Sequence, residues 1–158
     1  MHKIFIFFLL ILFCFACSKE NIKKSSINEK SLDLQVIEAY EEAMKSLNEG
    51  DVLFAAKKFN EAEIMFPQSP WAPKSALMAA YSYYSQDYYL DCIQELKRFV
   101  KVYPNHKHIS YAYYLLGISY YEQIVDEKKD LESIINAKET FKILNNKYPD
   151  SEYSLDAE

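Results

Sequence analysis

The chain has 158 residues, a formal net charge of −5 and only 2 Gly, and half of its residues are hydrophobic. An acidic chain lacks the positive surface that neutralises phosphates, so we exclude a nucleic-acid-binding protein. Electrostatic attachment to anionic lipid is excluded for the same reason. No glycine-rich phosphate loop, Ser/His/Asp set or paired-carboxylate motif is present, which argues against an enzyme.

A short positive start and an apolar run open the chain. Residues 4–16 are apolar without interruption, a length typical of a secretory signal peptide and below the roughly 20 residues of a spanning helix. The run ends in Ala16-Cys17. A small residue before a cysteine resembles the lipobox of bacterial lipoproteins, where the thiol takes a diacylglycerol and the preceding peptide is removed. An ordinary signal peptide with a chance cysteine is the alternative.

Cleavage would divide the chain into a signal peptide (1–16), a lipidated flexible tether (17–31) and a folded domain (32–158). The tether is polar and has no apolar period, which is typical of flexible segments. Cys14 would leave with the signal and Cys17 would carry the lipid. Only Cys92 would then remain free, so the mature chain could not form an internal disulfide.

From about Leu32 the apolar residues recur at intervals of three and four, which predicts an all-α fold. Similar phrases close three helices at Pro67, Pro104 and Pro149, with spacings of 37 and 45 residues. These spacings are near the 34 residues of a tetratricopeptide repeat plus loop insertions. We predict helical hairpins at about 36–69, 73–106 and 110–151, followed by the start of a fourth. A solenoid ending there would leave an apolar face uncovered, so we expect further repeats.

Positions within the repeats agree with this frame. Counting back from each proline places small residues where hairpin helices cross and bulky residues one turn later. The small residues are Ala55, Cys92 and Ala137, and the bulky ones are Phe59, Leu96 and Phe141. Gly117 would let two helices approach closely. Expected helix boundaries are Gly50 after the first helix, caps at Asp51, Ser133 and Asp150 or Ser151, and Pro73 in a first turn. The charged run 126–130 is an insertion in the third repeat.

The first helix of each hairpin should line the concave face of the solenoid. The repeat frame predicts a peptide-binding groove on this face, made of Ile37, Tyr40, Met44, Leu47, Leu77, Tyr81, Tyr84, Tyr111, Tyr114, Ile118 and Tyr121. Lys74 occupies one groove position as an exception. Tyrosine combines a large contact area with a hydroxyl, which suits an apolar, aromatic peptide. The Lys and Asn positions of carboxylate-gripping tetratricopeptide clamps are not matched. Packing of these side chains against a following repeat is the alternative.

Candidates for catalysis or metal binding are few. His106 and His108 flank Lys107 in a turn, where two ligands without a third make a weak metal site. Cys92 is expected to be an inert core thiol. We therefore predict no catalytic residues, no metal and no cofactor apart from the covalent lipid.

The order of phrases from Cys17 onward resembles the BamD family of outer-membrane assembly lipoproteins, also called ComL or YfiO. The resemblance is most specific at residues 40–43, 66–72, 103–106, 113–117, 120–124 and 148–153. It implies a periplasm-facing lipoprotein of the outer membrane that scaffolds β-barrel assembly. Its implied partners are the periplasmic domains of BamA, other lipoproteins of the BamC and BamE types, and unfolded outer-membrane protein segments. A periplasmic repeat adaptor of the CpoB/YbgF type is the alternative.

Overall fold

The computed structural model describes residues 31–125 and 131–157. The predicted signal peptide, Cys17, nearly all of the tether and the charged run 126–130 lie outside the described residues. Every regular element within them is a helix: α1 (Leu32–Asn48), α2 (Val52–Met65), α3 (Ala72–Tyr84), α4 (Tyr89–Val102), α5 (Ile109–Glu122), α6 (Leu131–Lys147) and α7 (Glu152–Asp156). None of these helices is long and apolar enough to cross a membrane.

Local capping signals set several helix boundaries where the sequence predicts them. Gly50 has a φ of +84°, the left-handed conformation that glycine adopts without a steric penalty. The Asp51 carboxylate then accepts a hydrogen bond from the Phe54 amide at 3.3 Å and caps α2. The hydroxyl of Ser151 accepts from the Ser154 amide at 3.2 Å and caps α7. Pro73 lies in the first turn of α3.

The predicted cap at Ser133 is wrong. Helix α6 begins at Leu131, so Ser133 lies inside the first turn. A carboxylate in a first turn interacts favourably with the positive end of the helix dipole, and Glu132 supplies one. The apolar residues near Ser133 keep the same helical spacing whether the helix begins at Leu131 or after Ser133. The sequence pattern alone therefore places the start of this helix only to within about one turn.

Consecutive helices pack against each other along the chain, and α7 packs on α5 and α6. One apolar cluster lies among α1, α2 and α3, and a larger one extends from α3 to α6. Ala55 and Cys92 are fully buried and Ala137 is buried, as their crossing positions require. Full burial of a side chain such as Phe59 contributes about 1.5–3 kcal/mol to folding. The predicted all-α tetratricopeptide-type fold is confirmed.

Helices α5 and α6 approach closely at Gly117. A Cβ atom placed on Gly117 would lie 2.7 Å from Cδ1 of Phe141, closer than two carbon atoms can pack. Glycine thus lets the Phe141 ring pack directly on α5, as the repeat frame predicts, and a larger residue would force that ring to shift.

A polar network that the sequence did not predict joins α2 to α4. The guanidinium of Arg98 donates to both carboxylate oxygens of Glu63, at 2.7 and 2.6 Å, and also to Glu95. The hydroxyl of Tyr103 donates to Glu63 at 2.7 Å. Glu63 is buried, and these bonds raise the pKa of Arg98 above its usual value. The second helices of the first two hairpins are thus linked by a paired, hydrogen-bonded charge.

Candidate peptide-binding groove

Side chains of α1, α3, α5 and α7 line two adjoining cavities. We call the first the aromatic cavity; it has a volume of about 330 Å³ and is lined by Lys74, Leu77, Met78, Tyr81, His108, Tyr111 and Tyr153. The second, of about 420 Å³, is bounded mainly by α1 and α3, with Met44 and Leu47 among its residues. Met78 and Tyr81 line both cavities, which together we call the groove.

Helical spacing accounts for the α3 wall of the groove. Lys74, Leu77, Met78 and Tyr81 recur at intervals of three and four, so they share one face of α3. Leu77 is buried at the base, while the Tyr81 side chain is 39% exposed. An apolar ligand that contacts the buried Leu77 side chain and the accessible Tyr81 ring would displace water from both.

Tyrosines form the α5 and α7 walls. The ring of Tyr153 lies 5.3 Å from that of Tyr111 and 5.5 Å from that of Tyr114, within the range of favourable aromatic packing. Burial raises the pKa of Tyr111 well above its usual value. Like any tyrosine with an ordinary or raised pKa, Tyr111 is protonated near neutral pH, so its hydroxyl can donate a hydrogen bond.

One cation lies at the edge of the aromatic cavity. The Lys74 ammonium is 4.3 Å from the centre of the Trp71 ring and 4.8 Å from that of Tyr40. Cation–π attraction at such distances holds the ammonium in place while leaving it accessible to solvent. In the described part of the chain, no carboxylate forms an ion pair with Lys74.

The structure brings together part of the predicted groove set. The predicted residues that line the two cavities are Met44, Leu47, Leu77, Tyr81 and Tyr111. Ile37 and Ile118 are half-buried on α1 and α5. Tyr114 contacts Tyr153 and also Phe141, at 6.5 Å between ring centres. Tyr121 lies instead beside a cavity between α5 and α6.

Two of the predicted groove tyrosines are held by packing. Tyr40 is only 9% exposed, and its ring lies 5.2 Å from Phe59 and 5.0 Å from Trp71, so it is a core residue. Tyr84 is half-buried against the larger apolar cluster and packs on Tyr89 at 5.8 Å. At Tyr40 and Tyr84 the side chains therefore pack inside the fold instead of lining a groove, because neighbouring aromatic side chains cover their rings.

Among the residues that line the aromatic cavity, sequence reasoning missed Met78, His108 and Tyr153. His108 and Tyr153 each follow a closing proline by four positions, as Trp71 does. Aligning the three proline phrases would have identified this shared position. Met78 has no comparable signal, because the repeat frame places Leu77 and not its neighbour on the concave face.

The other candidate residues are held by contacts of their own. The rings of His106 and His108 are 5.5 Å apart, and Nδ1 of His106 accepts from the His108 amide at 3.3 Å. Burial, aided by nearby positive charge, lowers the pKa of His106. The Cys92 sulfur lies 3.3 Å from the Ser119 hydroxyl oxygen, and burial raises the pKa of the thiol to about 11. A thiol so disfavoured as a thiolate is a poor nucleophile.

Comparison with known proteins agrees with this architecture. Residues 32–158, which include every described helix, match the model of the outer membrane lipoprotein family YfiO. The chain belongs to this family. It is 34% identical over 118 residues to the outer membrane protein assembly factor BamD of Caulobacter vibrioides, covering 75% of this chain and 39% of that protein. It is 32% identical over 117 residues to BamD of Rickettsia prowazekii, covering 70% of this chain and 47% of that protein.

A third similar relative is BamD of Neisseria gonorrhoeae, which is 30% identical over 135 residues, covering 79% of this chain and 51% of that protein. The chain thus spans about half or less of the length of these curated relatives. The matches favour the family resemblance seen in the sequence over the CpoB/YbgF-type alternative.

Proposed function

We propose that the protein is a lipid-anchored, non-catalytic component of the machinery that assembles outer-membrane β-barrels. The observation that carries this proposal is the family match over residues 32–158, together with relatives named as BamD assembly factors. Because the chain spans only part of those relatives, this function is inferred for the portion of the family that it contains.

The groove gives this part of the family a place to receive unfolded outer-membrane protein segments. Such segments are extended and carry apolar and aromatic side chains on the face that will contact lipid. Met78 and Tyr81 lie where the two cavities meet, so an extended chain crossing α3 would contact both. Methionine and tyrosine adapt to varied apolar partners, which suits a receiver of many clients.

The partners and location follow from the same proposal. The scaffold would bind the periplasmic domains of BamA and other lipoproteins of the complex. A lipid on Cys17 would hold it on the periplasmic side of the outer membrane. The aromatic and aliphatic side chains that line the groove support a role in binding. They provide no nucleophile beside a general base, and the similar proteins are named as assembly factors and not as enzymes.

The proposed function is tested by copurification and depletion. We expect BamA to copurify with the full-length lipoprotein from detergent-solubilised envelopes of the source bacterium. Depleting the protein should lower several β-barrel proteins together while leaving an inner-membrane helical protein at its normal level. Unchanged barrel levels, or lipoprotein that purifies without BamA, would contradict the proposal.

A further inference from the structure

Helix ends of the solenoid lie at two opposite edges. Short connections join consecutive helices that pack on each other, so neighbouring helices run antiparallel. One edge contains the first turns of α1, α3, α5 and α7, the last turns of α2, α4 and α6, and the closing prolines. We call it the proline edge. The opposite edge contains the other helix ends and the turn within each hairpin, and we call it the hairpin edge.

The two edges differ in charge. Within four residues of a helix end and in the described loops, the proline edge has four basic and four acidic residues, whereas the hairpin edge has one basic and six acidic residues. The charged residues of the proline edge are Asp33, Glu63, Lys74, Lys101, Lys107, Lys147, Asp150 and Glu152. Those of the hairpin edge are Lys45, Glu49, Asp51, Asp87, Asp91, Glu122 and Glu132. A bilayer that contains anionic lipid therefore repels the hairpin edge more strongly than the neutral proline edge.

Apolar side chains are exposed at the proline edge. Ile64 and Met65 end α2 and are 76% and 63% exposed, and Val102 ends α4 and is 53% exposed. The nearby carboxylates of Glu61 and Glu63 are paired with cations. These apolar side chains can therefore contact lipid without removing water from an unpaired carboxylate.

Lysines lie beside these apolar residues at the same helix ends. Lys101 precedes Val102, and Lys147 ends α6 at the repeat position of Met65 and Val102, two residues before a closing proline. A lysine at a membrane interface keeps its ammonium in water while its aliphatic stem contacts lipid. The ends of the second helices thus combine the two kinds of side chain that an interface accommodates.

Exposed apolar side chains also occur at the hairpin edge, but carboxylates adjoin them there. Leu53 is 51% exposed and lies two residues after Asp51, while Leu90 is 67% exposed and directly precedes Asp91. Contact with lipid would dehydrate these carboxylates, which is costly. Exposed apolar area alone does not distinguish the edges; its combination with charge does.

The predicted lipid anchor joins the domain at the proline edge. Residues 18–30 separate Cys17 from Ser31, which caps the first turn of α1. A flexible chain of this length has a root-mean-square end-to-end distance of about 20 Å. Helix α3 has 13 residues and is itself about 20 Å long, so the hairpin edge lies farther from the anchor by about that length.

We propose that the proline edge rests on the lipid surface that holds the anchor, with Ile64, Met65 and Val102 at the interface and the acidic hairpin edge directed away. This inference rests on the proposed function, because it requires the lipid on Cys17. The acyl chains supply the membrane affinity, and the proline edge sets the orientation of the solenoid. The helices would then stand across the membrane surface, and the row of hairpins would run along it.

The test measures the depth of two matched loop positions. Acylated full-length lipoprotein with Cys92→Ser is reconstituted in vesicles of phosphatidylethanolamine and phosphatidylglycerol, with an environment-sensitive fluorophore on Gln68→Cys or on Gln86→Cys. Both glutamines are exposed, one in the closing loop after α2 and the other in the turn after α3. Lipid carrying a nitroxide on its headgroup is the short-range quencher.

We expect quenching at the proline edge only. About half of the fluorescence at Gln68 should be lost, because side chains at an interface lie within about 5–10 Å of the headgroups. Less than about a tenth should be lost at Gln86, which lies about one helix length away. Equal quenching at the two positions, or stronger quenching at Gln86, overturns the proposed orientation.

Paired variants assign the contact to its side chains. Met65→Glu/Val102→Glu places two carboxylates at the proline edge and should reduce the quenching at Gln68 about threefold or more. Leu53→Glu/Leu90→Glu changes two similarly exposed residues of the hairpin edge and should leave it unchanged. Circular dichroism confirms the helical fold of each variant. Unchanged quenching in Met65→Glu/Val102→Glu overturns the assignment of the interface.

The vesicles contain no BamA, so this result is independent of the proposed complex. If only Gln68 is quenched but BamA does not copurify from envelopes, the orientation stands and the proposed function fails. If BamA copurifies but both positions are quenched equally, the function stands and the orientation fails. A lipoprotein that does not float with the vesicles would overturn the anchor and the orientation together.

Discussion

Among single residues, Glu63 is a carboxylate that is only 6% exposed in the described structure. It accepts bonds from Arg98 and Tyr103, which come from α4 and the turn after it. A buried carboxylate is stable only while its partners are present, because its hydration is lost. The contact between the first two repeats therefore depends on the pair formed by Glu63 and Arg98.

Replacing Arg98 should destabilise the fold. In Arg98→Met the Glu63 carboxylate keeps only the Tyr103 hydroxyl, and we expect the free energy of unfolding to fall by about 2–3 kcal/mol. The arginine side chain is 39% exposed, so solvent screening keeps the loss below that of a fully buried pair. Urea denaturation followed by circular dichroism measures the change.

Two controls separate this pair from general charge effects. Lys57→Met removes an exposed lysine whose ammonium is 3.8 Å from Glu61, and it should change stability by less than about 0.5 kcal/mol. The double variant Glu63→Met/Arg98→Met should recover part of the loss, because no unpaired buried charge remains. An Arg98→Met protein as stable as the unaltered one would show that Glu63 is adequately solvated without arginine.

At the scale of helices, the α5–α6 hairpin depends on the absence of a side chain. Gly117 lies against the ring of Phe141, while glycine in the middle of a helix costs about 1 kcal/mol relative to alanine. Close packing of the two helices offsets this cost. The other glycine, Gly50, serves a different purpose, since nothing lies within 4 Å of its added Cβ and only its φ of +84° favours glycine.

Gly117→Ala should therefore destabilise the protein in spite of its better helix propensity. We expect a net loss of about 1–2 kcal/mol, because the added methyl overlaps the Phe141 ring. The double variant Gly117→Ala/Phe141→Leu should lose less free energy of unfolding than the sum of the two single variants, because leucine leaves space for the added methyl group. Thermal unfolding of the two single variants and the double variant measures the coupling free energy between the two positions.

Gly50→Ala is the matched control for this coupling. It should lose about 1 kcal/mol through backbone strain, and Phe141→Leu should not relieve that loss. Additive losses for Gly117→Ala and Phe141→Leu would contradict the proposed contact between the two side chains.

At the scale of the whole molecule, the described helices form an acidic solenoid whose contacts run mainly between sequence neighbours. The proposed membrane attachment comes from outside this domain, at Cys17. Several acyl chains anchor a protein firmly, whereas an acidic surface is repelled by anionic lipid. The groove would then be held near the membrane while facing the periplasm.

Cys17→Ser should release the protein from membranes. After cell fractionation, we expect the unaltered lipoprotein in the membrane pellet and the variant mainly in the supernatant. Cys92→Ser is the matched control: this buried thiol faces Ser119, so its replacement should leave the protein in the pellet. A Cys17→Ser protein that still sediments with membranes after a high-salt wash would show that another feature anchors it.

Local signals in the sequence were sufficient for much of the architecture. Helical periodicity, the three prolines and the polar residues at helix ends act within a few residues, so they could be interpreted before any tertiary contact was known. Asp51 and Ser151 cap helices for this reason. The cap predicted at Ser133 would begin the helix at residue 134, three residues later than the observed start at Leu131, because several neighbouring residues can begin the same helix at similar cost.

Burial of individual tyrosines could not be predicted in the same way. Tyr40 and Tyr81 were both predicted to line the groove, yet Trp71 covers the first and the second remains 39% exposed. The difference depends on which side chain the next repeat places opposite each ring. Likewise, Arg98 meets Glu63 from 35 residues away, a pairing that neither local sequence indicates.

The sequence by itself thus determined the fold class, the repeat frame and most helix ends, because these depend on backbone preferences and on patterns within one turn or one repeat. Only the tertiary structure decided where the concave face is open. The aromatic cavity is lined by side chains from different hairpins, such as Leu77 and His108, which are 31 residues apart in the chain. Whether a face is filled or vacant depends on the combined volume of side chains from different hairpins, and that sum is fixed only when the hairpins pack.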